Sequence, residues 1–257
     1  MMQPTTQQAA ALKTLVIPMA DDEWMIGHRG SEWLALAPDL EEDLAMSSIS
    51  QDEMGHAELL YEVLHGLGEA SADEAVYLRG PQGWRHAALT AAARGSWAEW
   101  VVRRYCYEVF DGIRRKALQR IPYAPLVAAL QKMDREHAYH LTHFQSLVQT
   151  LAYGGPASRQ YLEEAIREDW PKLPDLFEWG GRDEAWVSWD VAALAPSMMR
   201  AAFEQVVRQD FAAWQLTWPG NLPAADRAAR HHDNSEFLAA LLLEMREVRQ
   251  VAPTSGW

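Results

Sequence analysis

Glu53 and His56 stand three residues apart in the segment SISQDEMGHAELLYEVLHGLG, which runs from Ser48 to Gly68. On an α-helix, side chains at that spacing lie about 60° apart around the axis and nearly one turn along it. A carboxylate and an imidazole so placed can ligate a divalent metal ion together. Met46, Ile49, Leu60 and Val63 continue the same stripe, which assigns it to the buried side of the helix. A second region of this kind is KMDREHAYHLTHF. There His137 and His140 share a stripe with Leu130, Met133, Phe144, Leu147 and Leu151, and Asp134 stands three residues before His137. The plain alternative is that acid-x-x-His pairs are common on solvated helix faces, so one pair alone does not make a site. A buried carboxylate, by contrast, demands a cation or a proton.

Groups of this type need rigid rods to bring them together. Helical periodicity recurs along the chain, and no segment alternates as a strand for long. A first helix is expected from Met19 to Ala37, ending before Pro38 because the residue preceding proline disfavours helical geometry. Asp39 caps a second helix that stops at Gly66 or Gly68. EASADEAVYLRGPQGW reads as a long loop with little regular structure. A third helix covers about Ala91 to Gln119, RIPYAP turns the chain, and a fourth runs from Pro125 to about Tyr153. Further helices are expected over Ser158 to Trp170, Pro196 to Thr217 and Asn234 to Val251. The pattern predicts one all-α domain over 1–257, a core bundle at about 19–153 with residues 154–257 packed on it. Two hairpins joined by a long connection have the connectivity of a ferritin-like four-helix bundle.

In such a bundle a di-metal site takes a Glu from each of two helices and an acid-x-x-His pair from each of the other two. Counting about 1.5 Å per residue from each turn brings Glu23 on the first helix to the height of Glu53 and His56. Glu108 on the third helix likewise reaches the height of Asp134 through His140. The candidate metal ligands are therefore Glu23, Glu53, His56, Glu108, Glu136, His137 and His140, more than one site uses at once. The fourth helix departs from the pattern, because His137 stands where an acid is expected three before His140. Either His137 replaces that acid, or Asp134 and His137 serve with His140 behind them, or Glu136 swings inward. Iron as a di-iron pair is the expected cofactor if metal is bound, with another divalent ion as the alternative; extra nitrogen donors shift the preference.

Composition narrows the partners. A formal charge of −13 without a long basic block argues against nucleic acid or an anionic membrane as the main partner. The apolar patch near the start is too short and weakly basic for a secretion signal, and nothing approaches the roughly 20 apolar residues of a membrane span. Cys106 is the single cysteine, which excludes an intramolecular disulfide and suits a cytoplasmic setting. The 12 tryptophans point to large buried surfaces or to an interface in a homo- or hetero-oligomer. Cys106 reads as buried packing. Arg103, Arg104, Arg114 and Arg115 read as a surface ion-pair face rather than a phosphate receiver, and His231 to Asp233 as a solvated loop. No phosphate-binding glycine loop, GxSxG elbow, flavin, nicotinamide or iron–sulfur motif occurs, so no catalytic residue is assigned.

ADDEWMIGHRGSEWLALAPDLEEDLAMSSISQDEMGHAELLYEVL, KMDREHAYHLTHF and the final NSEFLAALLLEMREVRQVAPTSGW together resemble the phenylacetic acid catabolic family, on the side of its phenylacetyl-CoA epoxidase C subunits. The resemblance spans nearly the whole chain. It implies a ferritin-like fold and a multicomponent, oxygen-dependent epoxidation of the aromatic ring of a CoA thioester. It also implies a paralogous epoxidase subunit and a separate reductase as partners. In that family the A subunit carries the di-iron site, and the C subunit is structural with its metal positions degraded. QDEMGH departs from the degraded pattern and looks like an active motif. The expectation is thus a monooxygenase component that retains a (di)metal site. The alternatives are a metal-free structural subunit that stabilises a catalytic paralogue, and a stand-alone ferritin-like metal-binding protein.

Overall fold

A computed structural model of the protein describes residues 4–179, 185–225, 230 and 236–251. Helices α1 (Thr6–Ser31) and α2 (Leu40–His65) form the first hairpin, and two short helices, α3 (Ala72–Tyr77) and α4 (Ala88–Ala91), lie in the connection that follows. The second hairpin is α5 (Trp97–Leu118) and α6 (Ala124–Tyr153). Helices α7 (Pro156–Asp169), α8 (Pro196–Ala213) and α9 (Glu236–Val251) complete the chain, and no strand occurs among the described residues. The architecture is an all-α ferritin-like bundle. None of the described helices is long and apolar enough to cross a membrane.

Local chemistry explains where each rod begins. Thr5 and Gln8 form a reciprocal capping box at the start of α1, well before the expected Met19. The helix continues through Pro18. Proline usually breaks a helix, but Leu12, Leu15, Val16 and Met19 form a wholly buried stripe that holds both sides of it in one rod. At the other end α1 stops at Ser31 rather than Ala37, and Ala35 takes a left-handed φ of 63° in the turn. Asp39 caps α2 as expected, accepting from the Glu42 amide. A capping box of Ser96 and Glu99 starts α5 after the break at Gly95, so the third long helix begins at Trp97 rather than near Ala91, and Ala91 instead ends the short α4. The connection expected to lack regular structure instead holds α3, started by the Ser71–Glu74 box, and a 3-10 turn over Pro81–Gly83.

The hairpin of α1 and α2 is drawn close by glycine. A Cβ on Gly27 would lie 3.0 Å from the Glu53 Cβ and 3.1 Å from the Ser50 carbonyl oxygen. Neither atom belongs to a side-chain end that can rotate away. Gly27→Ala should therefore cost up to about 2 kcal/mol: overpacking of about 1–3 kcal/mol is set against a helix-propensity gain of about 1 kcal/mol. A urea midpoint that falls with an unchanged slope would bear this out. On the far side, α5 is the central rod, covered by α6, α7 and α8. Phe110, Phe177, Phe203, Trp170 and Phe211 link in a chain of rings there. Trp84, Trp100, Trp170, Trp179 and Trp214 are all buried within the chain, so much of the tryptophan content serves the core.

Candidate metal centre

Four helices bring their acids and imidazoles to one level. Glu23 comes from α1, Glu53 and His56 from α2, Glu108 from α5, and His137 and His140 from α6, and all six are buried. The ligating atoms of Glu23, Glu53 and His56 lie within 4.8 Å of one another, and those of Glu53, Glu108 and His140 do likewise. Glu53 belongs to both groups. Its Oε2 faces His56 Nδ1 at 3.3 Å, and its Oε1 faces His140 Nδ1 at 3.4 Å. Glu23 Oε2 lies 3.5 Å from the same His56 Nδ1.

The two imidazoles are held alike from outside. His56 Nε2 lies 2.8 Å from Glu136 Oε2, and His140 Nε2 lies 3.2 Å from Asp52 Oδ2. An ionised carboxylate only accepts, so each Nε2 carries a proton, and each Nδ1 is turned inward toward Glu53. This is how carboxylates orient metal-ligating histidines. Glu136 is about two-fifths exposed, at 41%, and reaches His56 from the outer side without joining either ligand group. His137 does not join either group. Its Nδ1 lies 2.9 Å from Glu108 Oε2, and its Nε2, without a partner, rests where a Cβ on Gly112 would come within 2.8 Å. Asp134 sits apart, bound to Gln119 and Arg115.

The four arginines expected on a solvated face are buried, because α5 is enclosed on every side. Arg104 Nη2 hydrogen-bonds both Glu53 Oε1 and Glu108 Oε1. Arg114 donates to Asp22 Oδ2 at 2.6 Å, to Asp111 Oδ1 at 2.8 Å and to the Tyr107 hydroxyl at 3.0 Å. That hydroxyl donates in turn to Glu23 Oε1 at 2.9 Å. Arg115 pairs with Asp111 at 2.8 Å, while Arg103 donates to the Ala93 carbonyl at the same distance. A signal for this existed: Arg104 with Glu108, and Asp111 with Arg115, are (i, i+4) pairs along one stripe of α5. Asp22 carries no comparable signal. It is fully buried and accepts from Arg114, from the Ala87 amide at 2.7 Å and from Arg230 at 3.1 Å. The expected loop at His231 to Asp233 lies outside the described residues. Cys106 is buried, as its surroundings predict, and burial pushes its thiol up. The thiol should react with a disulfide reagent only when the chain unfolds.

Electrostatics make this a centre that takes up positive charge. Burial, then Glu53 and Asp111, raise the Glu23 carboxyl well above its usual range. Burial works against ionised Glu53 too, but Arg104 and hydrogen bonds to Glu23, His140 and His56 hold it well below. Burial opposes charging of His56, yet Glu23 and Glu53 lift it to about 11. His140 is lifted against burial by Asp52 and Glu53 to about 9. Raised folded-state values stabilise the metal-free chain fully below pH about 6.5, and that contribution is lost as pH rises through about 9 for His140. The urea midpoint of the metal-free protein should therefore fall between pH 7 and 9, by at least about 1 kcal/mol in stability.

The donors suit a divalent ion. Glu23, Glu53 and His56 offer hard oxygen and imidazole nitrogen. Arg114 stands behind Glu23 Oε1 at 3.7 Å, and Arg104 bonds Glu53 through Oε1, not through the Oε2 that faces His56. His140 Nδ1, buried, is aimed at Glu53 Oε1 at 3.4 Å. The second group differs, since Arg104 already joins Glu53 to Glu108.

The family described as "Phenylacetic acid catabolic protein" matches residues 1–257. The C subunit of 1,2-phenylacetyl-CoA epoxidase from Escherichia coli (strain K12) is 26% identical over 247 residues, covering 96% of this chain and 99% of the relative. The A subunit of the same organism's epoxidase is 28% identical over 153 residues, covering 59% of this chain and 48% of that relative.

Proposed function

Because this chain belongs to the phenylacetic acid catabolic protein family, we propose that it is a component of a ring-epoxidising phenylacetyl-CoA monooxygenase that keeps a metal site in its bundle. The observation that carries the reading is the buried convergence of Glu23, Glu53 and His56 in a chain alignable over 96% of its length with one of the components of an epoxidase. Glu23, Glu53 and His56 would hold the ion. Iron bound there would supply oxygen activation, with electrons from a separate reductase and a CoA thioester as the substrate. The protein's own contribution is positional. Glu136 and Asp52 fix the imidazole tautomers, and Tyr107 steadies Glu23 through the 2.9 Å hydrogen bond.

One observation favours a second reading, a metal-free structural component that stabilises a catalytic paralogue. Arg104 supplies a cation between Glu53 and Glu108 without any metal. Co-expression with an A-type paralogue separates the two. Under the first reading His56→Ala leaves the complex intact on gel filtration but removes its extra metal and lowers ring epoxidation at least tenfold. Unchanged activity in that variant would establish the second.

A further inference from the structure

We propose that the guanidinium of Arg104 takes the place of one of two metal ions, so that this bundle is built to hold a single ion, between Glu23, Glu53 and His56. The inference rests on the metal-retaining reading above.

The two ligand groups share Glu53, and that carboxylate divides cleanly between them. Oε2 serves the His56 side at 3.3 Å, and Oε1 serves the His140 side at 3.4 Å. One carboxylate with one oxygen toward each of two groups is the geometry of two adjacent cation positions. In the second of them a cation is already installed. Arg104 Nη2 hydrogen-bonds Oε1 of Glu53 and Oε1 of Glu108, the bridging contact that a second ion would make.

Arg104 is poorly placed to yield. An arginine does not deprotonate in proteins, and this one is fully buried. Its Cζ lies 4.9 Å from the centre of the Phe144 ring, 5.8 Å from Trp100 and 6.0 Å from Tyr107, the aromatic surround that favours a cation. A divalent ion within hydrogen-bonding distance of a guanidinium would be repelled strongly in so dry a place.

Formal charge gives the same answer. The carboxylates of Glu23, Glu53 and Glu108 balance one divalent ion plus one guanidinium. Two ions plus the guanidinium would leave two positive charges that only the partly exposed Glu136 and Asp52, behind the imidazoles, are there to offset. The other buried acids nearby are committed elsewhere, Asp111 to Arg114 and Arg115, and Asp22 to Arg114 and Arg230. His137, standing where a further acid would add negative charge, is neutral or positive and leans on Glu108 instead.

The test counts ions rather than turnover. Ferrous iron is added anaerobically to the purified chain, excess is removed by desalting, and bound iron is measured by plasma mass spectrometry. The wild type should retain one iron per chain, and Arg104→Met two. Since the Arg104 variant can fail to fold, Glu108→Gln and Glu23→Gln give an independent arm. Glu108→Gln should still hold one ion, and Glu23→Gln none. Two irons in the wild type, one iron in both wild type and folded Arg104→Met, or loss of the ion in Glu108→Gln each overturn the inference. No iron in any folded variant removes the metal-retaining reading itself. No iron in the wild type but one in Arg104→Met also removes that reading, while leaving Arg104 as the occupant of its position.

Discussion

Replacing Asp22 with alanine is expected to destabilise the protein by about 3–5 kcal/mol, the cost of removing one partner from a buried ion pair. Asp22 is fully buried and lies at the meeting of three separate parts of the chain. Its Oδ2 accepts from Arg114 on α5 at 2.6 Å and from Arg230 at 3.1 Å, and its Oδ1 accepts from the Ala87 amide at 2.7 Å. Alanine would strand two guanidinium charges and an amide proton together in a dry interior. Arg114 retains Asp111 and Tyr107, and Arg230 retains carbonyls of Arg85, Asp175 and Leu176, so the loss is large without being total. Thermal unfolding should drop by roughly 10 °C. Asp22→Asn, which keeps the acceptor oxygen, should cost less than Asp22→Ala. Equal losses would mean that the retained acceptor oxygen contributes nothing.

The second large effect is at Glu53. It faces His56, His140 and Arg104 at once, and among the described residues it is the one shared by both ligand groups. Glu53→Ala should reduce bound iron to less than a tenth of the wild-type amount. In the metal-free chain it should also cost about 3 kcal/mol, because Arg104 keeps Glu108 and His56 keeps Glu23, but His140 Nδ1 loses the carboxylate it faces. Comparing urea midpoints with and without iron separates these contributions. Iron should raise the wild-type midpoint and leave that of Glu53→Ala where it was.

Much of the bundle is legible in the residues themselves, because periodicity and rise are local. The cap at Asp39 and the turn before Ala124 fall where pattern and proline place them. The height argument that pairs Glu23 with Glu53 and His56 needs only the rise of a straight rod and one turn, and the three do meet. What resists reading is set by neighbours distant in sequence. Pro18 looks like a start because nothing local reveals that Leu12, Leu15 and Val16 are buried by other helices. Arg104 and Arg114 look solvated because charge usually is, whereas α5 is wrapped on all sides and their partners come from α1 and α2 as well as from α5. Glu136 and Glu53 are equally acidic on paper. Only the packing of α2 on α6 decides that Glu53 faces inward while Glu136 reaches a histidine from outside.

The most direct test of the account is X-ray diffraction from iron-soaked crystals at the iron absorption edge. The account predicts an anomalous peak bounded by the Glu23 and Glu53 carboxylates and His56 Nδ1, with Arg104 still bonded to Glu53 and Glu108. Ordered side chains at those positions with no anomalous density between them would contradict it.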